Sequence, residues 1–212
     1  NYGNHQVVAA GEGYVEIQIR EEKAVLLTLP YPTEKRLNEV IYQDNEEEED
    51  RIRTYGEKIA EMFENLEKNF REDTINITVS HLFAFGAEPS GSERSSSLGG
   101  SFLVGTNALT QKAQYAALGH IHKPNIISSR MAYCGSPEPL DFGEQGEHGI
   151  IQGTIDKGIA NIDFIPFSNR MFLERTLKID PALGYEDIVK EIRNCDEKIN
   201  LRKNLYRIKL EG

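Results

Sequence analysis

The sequence is poor in the features that mark secreted and membrane proteins. It has only two cysteines, Cys134 and Cys195, which is too few for a disulfide framework. No apolar run approaches the roughly 18 residues that a membrane helix needs. The first residues, NYGNHQVVAAGEG, show no basic region followed by an apolar core, so no secretory signal is visible. We therefore predict a cytoplasmic protein without a membrane span.

Positive charge is also scarce. The 212 residues carry a net charge of -10 and the pI is near 5.1, which argues against binding nucleic acid through the whole surface. The segment 91–137 differs, because four basic residues minus one acidic residue leave it at +3. Its basic residues are Arg94, Lys112, Lys123 and Arg130. A local basic site in this segment is compatible with the acidic balance elsewhere.

The periodicity of apolar residues predicts a mixed α/β chain. Alternation over Val15–Ile19 and the apolar run AVLLTLP indicate a hairpin, and a stripe from Ile52 to Phe70 indicates an amphipathic helix of about five turns. A short helix could begin after Thr33, and a second is predicted over Asn107–Gln114. A long Gly- and Ser-rich loop is predicted after His81. Further strands are predicted at Ile75–Ser80, Tyr115–Leu118, Met131–Cys134, Gly149–Ile155 and Ala160–Ile165.

A change in composition near Pro166 to Arg170 predicts a domain boundary. Beyond it, alternation at Leu173 to Ile179, helical spacing in GYEDIVKEI and alternation at Tyr206 to Leu210 indicate a strand, a helix and a strand. We expect residues 1–166 to form one domain and residues 167–212 to begin a second, smaller α/β domain.

The stretch ALGHIHKP holds two of the five histidines, His120 and His122. If the segment is extended, both side chains share one side with β-carbons roughly 7 Å apart, while Ile121 points into the core. That spacing suits two metal ions about 3.5 to 4 Å apart better than one. His81 also follows a predicted strand, and strand ends are where sites assemble in α/β sheets. The alternative is that the pair only satisfies hydrogen bonds at a strand end.

Three other residues near this stretch have side chains that can take part in chemistry, and we assign a place near the site to one of them. Ser136, in the turn of CGSP, can offer a hydroxyl and a backbone N–H near the same site. We interpret Cys134 as a small buried hydrophobic residue rather than a nucleophile. His148 is interpreted as part of a polar turn with nothing around it.

The motifs ALGHIHKP, YCGSPEPLDFGE, SHLFAFGAEPSGSER and VLLTLPYP together resemble the SbcD family of DNA-repair exonuclease subunits, which are metallophosphoesterases. The resemblance covers about Val25 to the end. It implies a two-sheet α/β/β/α sandwich followed by the start of a capping domain that positions DNA. It also implies two Mn²⁺ ions, with His81 and His120 on one ion and His122 on the other.

The resemblance further implies phosphodiester hydrolysis of DNA in double-strand-break repair, a partner ATPase of the SbcC type and a homodimer of the full-length protein. We assign DNA contacts to Arg94, Lys123 and Arg130. The family's other ligands and its catalytic histidine lie in N-terminal motifs that do not precede Asn1. Residues Gly3 to His5 spell GNH, but Gln6 stands where the family has Asp. We therefore expect the catalytic residues to lie outside this chain and the chain alone to be inactive.

Two alternatives remain open from the sequence. The same ligands could serve a metallophosphatase that acts on small phosphoesters. The histidines could instead form a structural zinc site in a non-catalytic module that docks a partner ATPase.

Overall fold

The computed structural model describes residues 5–33, 47–84, 86, 103–109, 111–180, 182–194 and 204–212. The chain opens with three antiparallel strands: β1 (His5–Gly11), β2 (Tyr14–Ile19) and β3 (Glu22–Leu29). In β2 the alternating apolar residues Val15, Ile17 and Ile19 are half-buried on one face, and Glu16 is buried on the other. The hairpin predicted from this alternation is confirmed.

Four parallel strands form the centre of a seven-stranded sheet. These are β3, β4 (Ile75–His81), β5 (Tyr115–Gly119) and β7 (Met131–Tyr133), and the sheet order is β1-β2-β3-β4-β5-β7-β6. The strand β6 (Asn125–Ser128) pairs antiparallel with β7 at the edge. Because the central strands are parallel, their carboxyl ends meet at one edge of the sheet. The strands predicted at these positions are confirmed.

One long helix covers the sheet. The helix α1 (Glu48–Leu66) continues into a 3₁₀ turn, Glu67–Asn69. Its buried residues Tyr55, Ile59 and Phe63 belong to one apolar cluster with residues of the strand ends. Burying each such side chain stabilises the fold by about 1.5–3 kcal/mol. The amphipathic stripe therefore predicted the packing face correctly.

Two smaller sheets follow the main one. The strands β8 (Gly149–Asp156) and β9 (Ile159–Pro166) form an antiparallel hairpin. The strands β10 (Phe172–Lys178) and β11 (Leu205–Glu211) pair in parallel, with the helix α2 (Tyr185–Asn194) between them in the chain. The predicted order of strand, helix and strand is confirmed, whereas the domain boundary at residue 166 stays a prediction.

The β10–β11 pair contacts the turn before β8 through aromatic packing. The rings of Phe142 and Phe172 meet edge to face at 5.0 Å. The guanidinium carbon of Arg207 lies 4.3 Å from the centre of the Phe142 ring, a distance at which a cation and a π system attract each other.

Mixed α/β architecture is confirmed, but the second sheet of the sandwich implied by the resemblance stays a prediction. The helix predicted over Asn107–Gln114 is wrong, because the described residues of this range are helical only in the 3₁₀ turn Thr106–Ala108. The backbone N–H groups of Gln111 and Lys112 donate to the buried carboxylate of Glu67 instead of to helical carbonyls. The helix predicted after Thr33 and most of the Gly- and Ser-rich loop lie outside the described residues.

No helix within the described part of the chain is long and apolar enough to cross a membrane.

Candidate metal centre

Two of the predicted ligand residues lie side by side at the carboxyl edge of the sheet. His81 is the last residue of β4, and it pairs with Gly119, the last residue of β5. His120 follows directly. A β-carbon at Gly119 would approach Nδ1 of His81 to 2.9 Å, closer than such atoms normally come. The absence of a side chain at Gly119 therefore leaves room for the His81 ring.

Aromatic packing holds both rings. The ring centroids of His81 and His120 are 5.4 Å apart, and the rings are nearly perpendicular. Tyr31 stacks on His120 at 5.4 Å and meets the edge of His81 at the same distance. Phe83 lies 6.1 Å from His120 on the segment that continues from His81. The VLLTLPYP motif thus contributes to this cluster through Tyr31.

The backbone leaves the extended conformation at His120, where φ is +107°. The assumption that His120 and His122 share one side of a strand is therefore wrong, because β5 ends at Gly119. Residues other than glycine adopt such φ values rarely, at a strain of about 1–3 kcal/mol. Ile121 is buried in the core as predicted.

His122 faces a different set of residues. Its Nδ1 atom lies 2.6 Å from Oε1 of Glu144, whose side chain is completely buried. The other oxygen of Glu144, Oε2, accepts hydrogen bonds from the backbone N–H of Leu140 at 2.9 Å and from Ser136 Oγ at 3.3 Å. The hydroxyl of Ser136 also lies 3.4 Å from the His122 carbonyl oxygen.

His148 belongs to the same group of residues, so our interpretation of it as an isolated turn residue is wrong. Only 3% of its surface is exposed, and its Nδ1 lies 3.0 Å from both Oγ and the carbonyl oxygen of Ser136. Neither Glu144 nor His148 stands in a periodic pattern. The fold of the segment 134–149 brings them together, and only the turn predicted at CGSP indicated local order there.

The turn after β7 holds the His122 backbone in place. Gly135 has a φ of +75°, and a β-carbon there would come within 2.5 Å of the His122 carbonyl oxygen. The next N–H, that of Ser136, donates to this carbonyl at 2.9 Å. Cys134, in contrast, is exposed, so the interpretation of it as a buried residue is wrong.

A buried hydroxyl ties β7 to the chain that follows His81. Tyr133 donates to the carbonyl of Leu82 at 2.8 Å and accepts from the N–H of Ala84 at 2.8 Å. Burial raises the pKa of Tyr133 to about 12, so the hydroxyl keeps the proton that it donates. The start of the segment after His81 is thereby fixed to the sheet.

We tested whether these residues fit a metal ion. Within the described residues, no three His, Cys, Asp or Glu side chains converge on one point. The 5.4 Å spacing of the His81 and His120 rings is nevertheless compatible with one shared ion. Imidazole nitrogens bind metal at about 2.0–2.1 Å, which places the centroids of two rings on one ion roughly 4.5–5.5 Å apart. The hydrogen bond from His122 to a buried carboxylate is also the arrangement usual for metal-binding histidines.

Two of the three residues assigned to DNA contacts, Lys123 and Arg130, lie at opposite edges of the sheet. Lys123 is exposed next to His122. Arg130 is exposed in the turn between β6 and β7, and its carbonyl accepts from Ala116 near the amino end of β5. That is the edge of the sheet opposite the histidines. Arg94 lies outside the described residues.

The chain is similar in sequence to a curated bacterial protein. No family model matches the chain. The SbcD component of the nuclease SbcCD of Bacillus subtilis (strain 168) is 35% identical over 136 residues, which is 63% of this chain and 34% of that protein. The match thus spans about a third of the length of this relative.

Proposed function

We propose, on the premise that the chain is a homologue of the SbcD-type nuclease subunits, that it forms part of a metal-dependent nuclease that hydrolyses phosphodiester bonds in DNA. The resemblance predicted from the sequence motifs is confirmed by the bacterial relative. The proposal assigns this chain the histidine part of the metal centre.

The observation that carries the proposal is the pair of His81 and His120, whose rings are 5.4 Å apart at the ends of adjacent parallel strands. We propose that these two residues bind one Mn²⁺ ion and that His122 binds a second. Two such ions would lower the pKa of a bound water and stabilise both the attacking and the leaving oxygen of the phosphodiester. The protein's own part would be to hold the imidazoles in place at this edge of the sheet.

The wider assignments follow from the resemblance. We propose that the protein acts on DNA during repair and recombination, with an SbcC-type ATPase as partner. A homodimer, a cytoplasmic location and DNA contacts from Lys123 and Arg94 are further parts of the proposal. Arg130 serves DNA binding only if the duplex reaches the opposite edge of the sheet.

The proposal is tested by titrating the chain with Mn²⁺ in a calorimeter. Wild-type protein should bind Mn²⁺, His120→Ala should bind it at least about tenfold more weakly, and His5→Ala should behave as wild type because His5 is exposed in β1. Equal binding by His120→Ala and wild type would contradict the assignment. A single tight Zn²⁺ equivalent without Mn²⁺ binding would favour a structural zinc site.

The activity of the full-length protein is measured separately on a DNA duplex and on a small phosphodiester, both with Mn²⁺. A nuclease should prefer the duplex, whereas a metallophosphatase should cleave the small substrate equally well or better. Cleavage by this chain that is lost in His122→Ala would contradict the expectation that the chain alone is inactive and would locate a complete centre within it.

A further inference from the structure

The carboxylate of Glu144 lies buried between His122 and the turn that contains Ser136. Its side chain has no exposed surface, so its oxygens are satisfied by protein groups rather than by bulk water. Oε2 accepts from the backbone N–H of Leu140 at 2.9 Å, and this donor cannot reverse its role. Glu144 is therefore bound as an acceptor on that side.

The donor and acceptor roles behind Glu144 follow from the contact of His148 with Ser136. Nδ1 of His148 lies 3.0 Å from the carbonyl oxygen of Ser136, which can only accept, so this nitrogen carries the hydrogen. The same nitrogen is 3.0 Å from Ser136 Oγ. The Ser136 hydroxyl can then donate its own hydrogen towards Glu144 Oε2, at 3.3 Å, or towards the His122 carbonyl oxygen, at 3.4 Å. The N–H of Leu140 is the donor that keeps Oε2 an acceptor.

The remaining oxygen, Oε1, faces Nδ1 of His122 at 2.6 Å. Because the N–H of Leu140 donates to Oε2, Glu144 meets His122 as a carboxylate acceptor at Oε1, and the hydrogen between them lies on Nδ1 of His122. Neutral imidazole carries only one N–H, and the proton on Nδ1 leaves the lone pair on Nε2. The tautomer of His122 is thereby determined by a residue in a different turn.

We infer that Glu144 is the positioning residue that holds His122 in its Nδ1–H tautomer and so directs Nε2 to a metal ion. This inference rests on the proposed function and assigns a role to a residue that the motifs alone did not single out. Glu144 acts through His122 and is not itself assigned to the metal or to the substrate.

The isosteric change Glu144→Gln distinguishes this role from simple packing. An amide has one acceptor and one donor end, and its oxygen must face the N–H of Leu140, because the reverse orientation places two donors against each other. The NH₂ group then faces Nδ1 of His122 and requires a lone pair there. The proton of His122 should therefore move to Nε2, the nitrogen that would bind the metal.

The test uses the metal-free 212-residue chain labelled with ¹⁵N-histidine. Two-bond ¹⁵N–¹H correlation spectra at alkaline pH distinguish the two neutral tautomers, and His122→Gln assigns the signal. The matched control is Glu138→Gln, because Glu138 accepts hydrogen bonds from Ser168 and Asn169 and not from His122. Wild type and the control should show Nδ1–H, and Glu144→Gln should show Nε2–H.

An Nε2–H tautomer in the wild type, or an unchanged Nδ1–H tautomer in folded Glu144→Gln, would overturn the inference. If Glu144→Gln does not fold, the inference is judged from the tautomer of His122 in the wild type alone. Addition of Mn²⁺ then separates the inference from the proposed function. Paramagnetic broadening of His122 should need at least about tenfold more Mn²⁺ in Glu144→Gln than in wild type. The tautomer change without any Mn²⁺ broadening of His122 would support the inference and contradict the proposed metal site, and the opposite pattern would overturn only the inference.

Discussion

Replacing Gly135 by alanine should destabilise the chain more than any ordinary change in a surface turn. Gly135 has a φ of +75°, a conformation that costs a residue with a β-carbon about 1–2 kcal/mol. The new β-carbon would also lie 2.5 Å from the His122 carbonyl oxygen and 2.8 Å from the Pro124 nitrogen. Both contacts are with backbone, so the segment itself must shift, at a further cost of about 1–3 kcal/mol. We expect a total loss of about 2–5 kcal/mol.

Gly158→Ala is the matched control. Gly158 has a φ of +80° in the β8–β9 turn, but nothing lies within 4 Å of the position that a β-carbon would take, so only the conformational cost of about 1–2 kcal/mol applies. The chain has no tryptophan, so urea unfolding is followed by far-UV circular dichroism. Equal m-values would show that the same transition is compared. A loss for Gly135→Ala no larger than that for Gly158→Ala would refute the close-approach argument.

Three further predictions concern the site edge and the hairpin. His120→Gly should be more stable than His120→Ala by about 1 kcal/mol in urea unfolding, the reverse of the usual order, because φ at this position is +107°; a more stable alanine variant would contradict the strain. Gly119→Ala should weaken Mn²⁺ binding in calorimetry, because the new methyl group would lie only 2.9 Å from Nδ1 of His81 and the ring would have to move. Unchanged binding would show that the His81 ring can move without loss of Mn²⁺ affinity. The two-point ion pair with Arg71, at 2.8 and 2.9 Å, lowers the pKa of Glu16, so its stabilisation is present above the unfolded pKa and is lost as pH falls through the folded one. Glu16→Gln should therefore flatten the decline of thermal stability between about pH 5 and pH 3, and an unchanged slope would assign that decline to other carboxylates.

Much of the fold could be predicted from the spacing of apolar residues, because the side chains of a helix or strand that face the interior must be apolar. The stripe from Ile52 to Phe63 repeats every three to four residues since one face of α1 lies on the sheet. The prediction of a helix over Asn107–Gln114 failed because a distant group, the Glu67 carboxylate, competes for its backbone N–H groups. Local propensity carries no information about such a partner.

The candidate site divides in the same way. The sequence by itself determined that His81 and His120 lie at strand ends, and parallel pairing of those strands is enough to bring two such residues together. Only the tertiary structure decided that the chain turns at His120, that His122 faces Glu144, and that His148 is buried behind Ser136. The physical reason is range: strand periodicity acts between neighbouring residues, whereas the contacts of a buried carboxylate depend on how separate turns pack against each other.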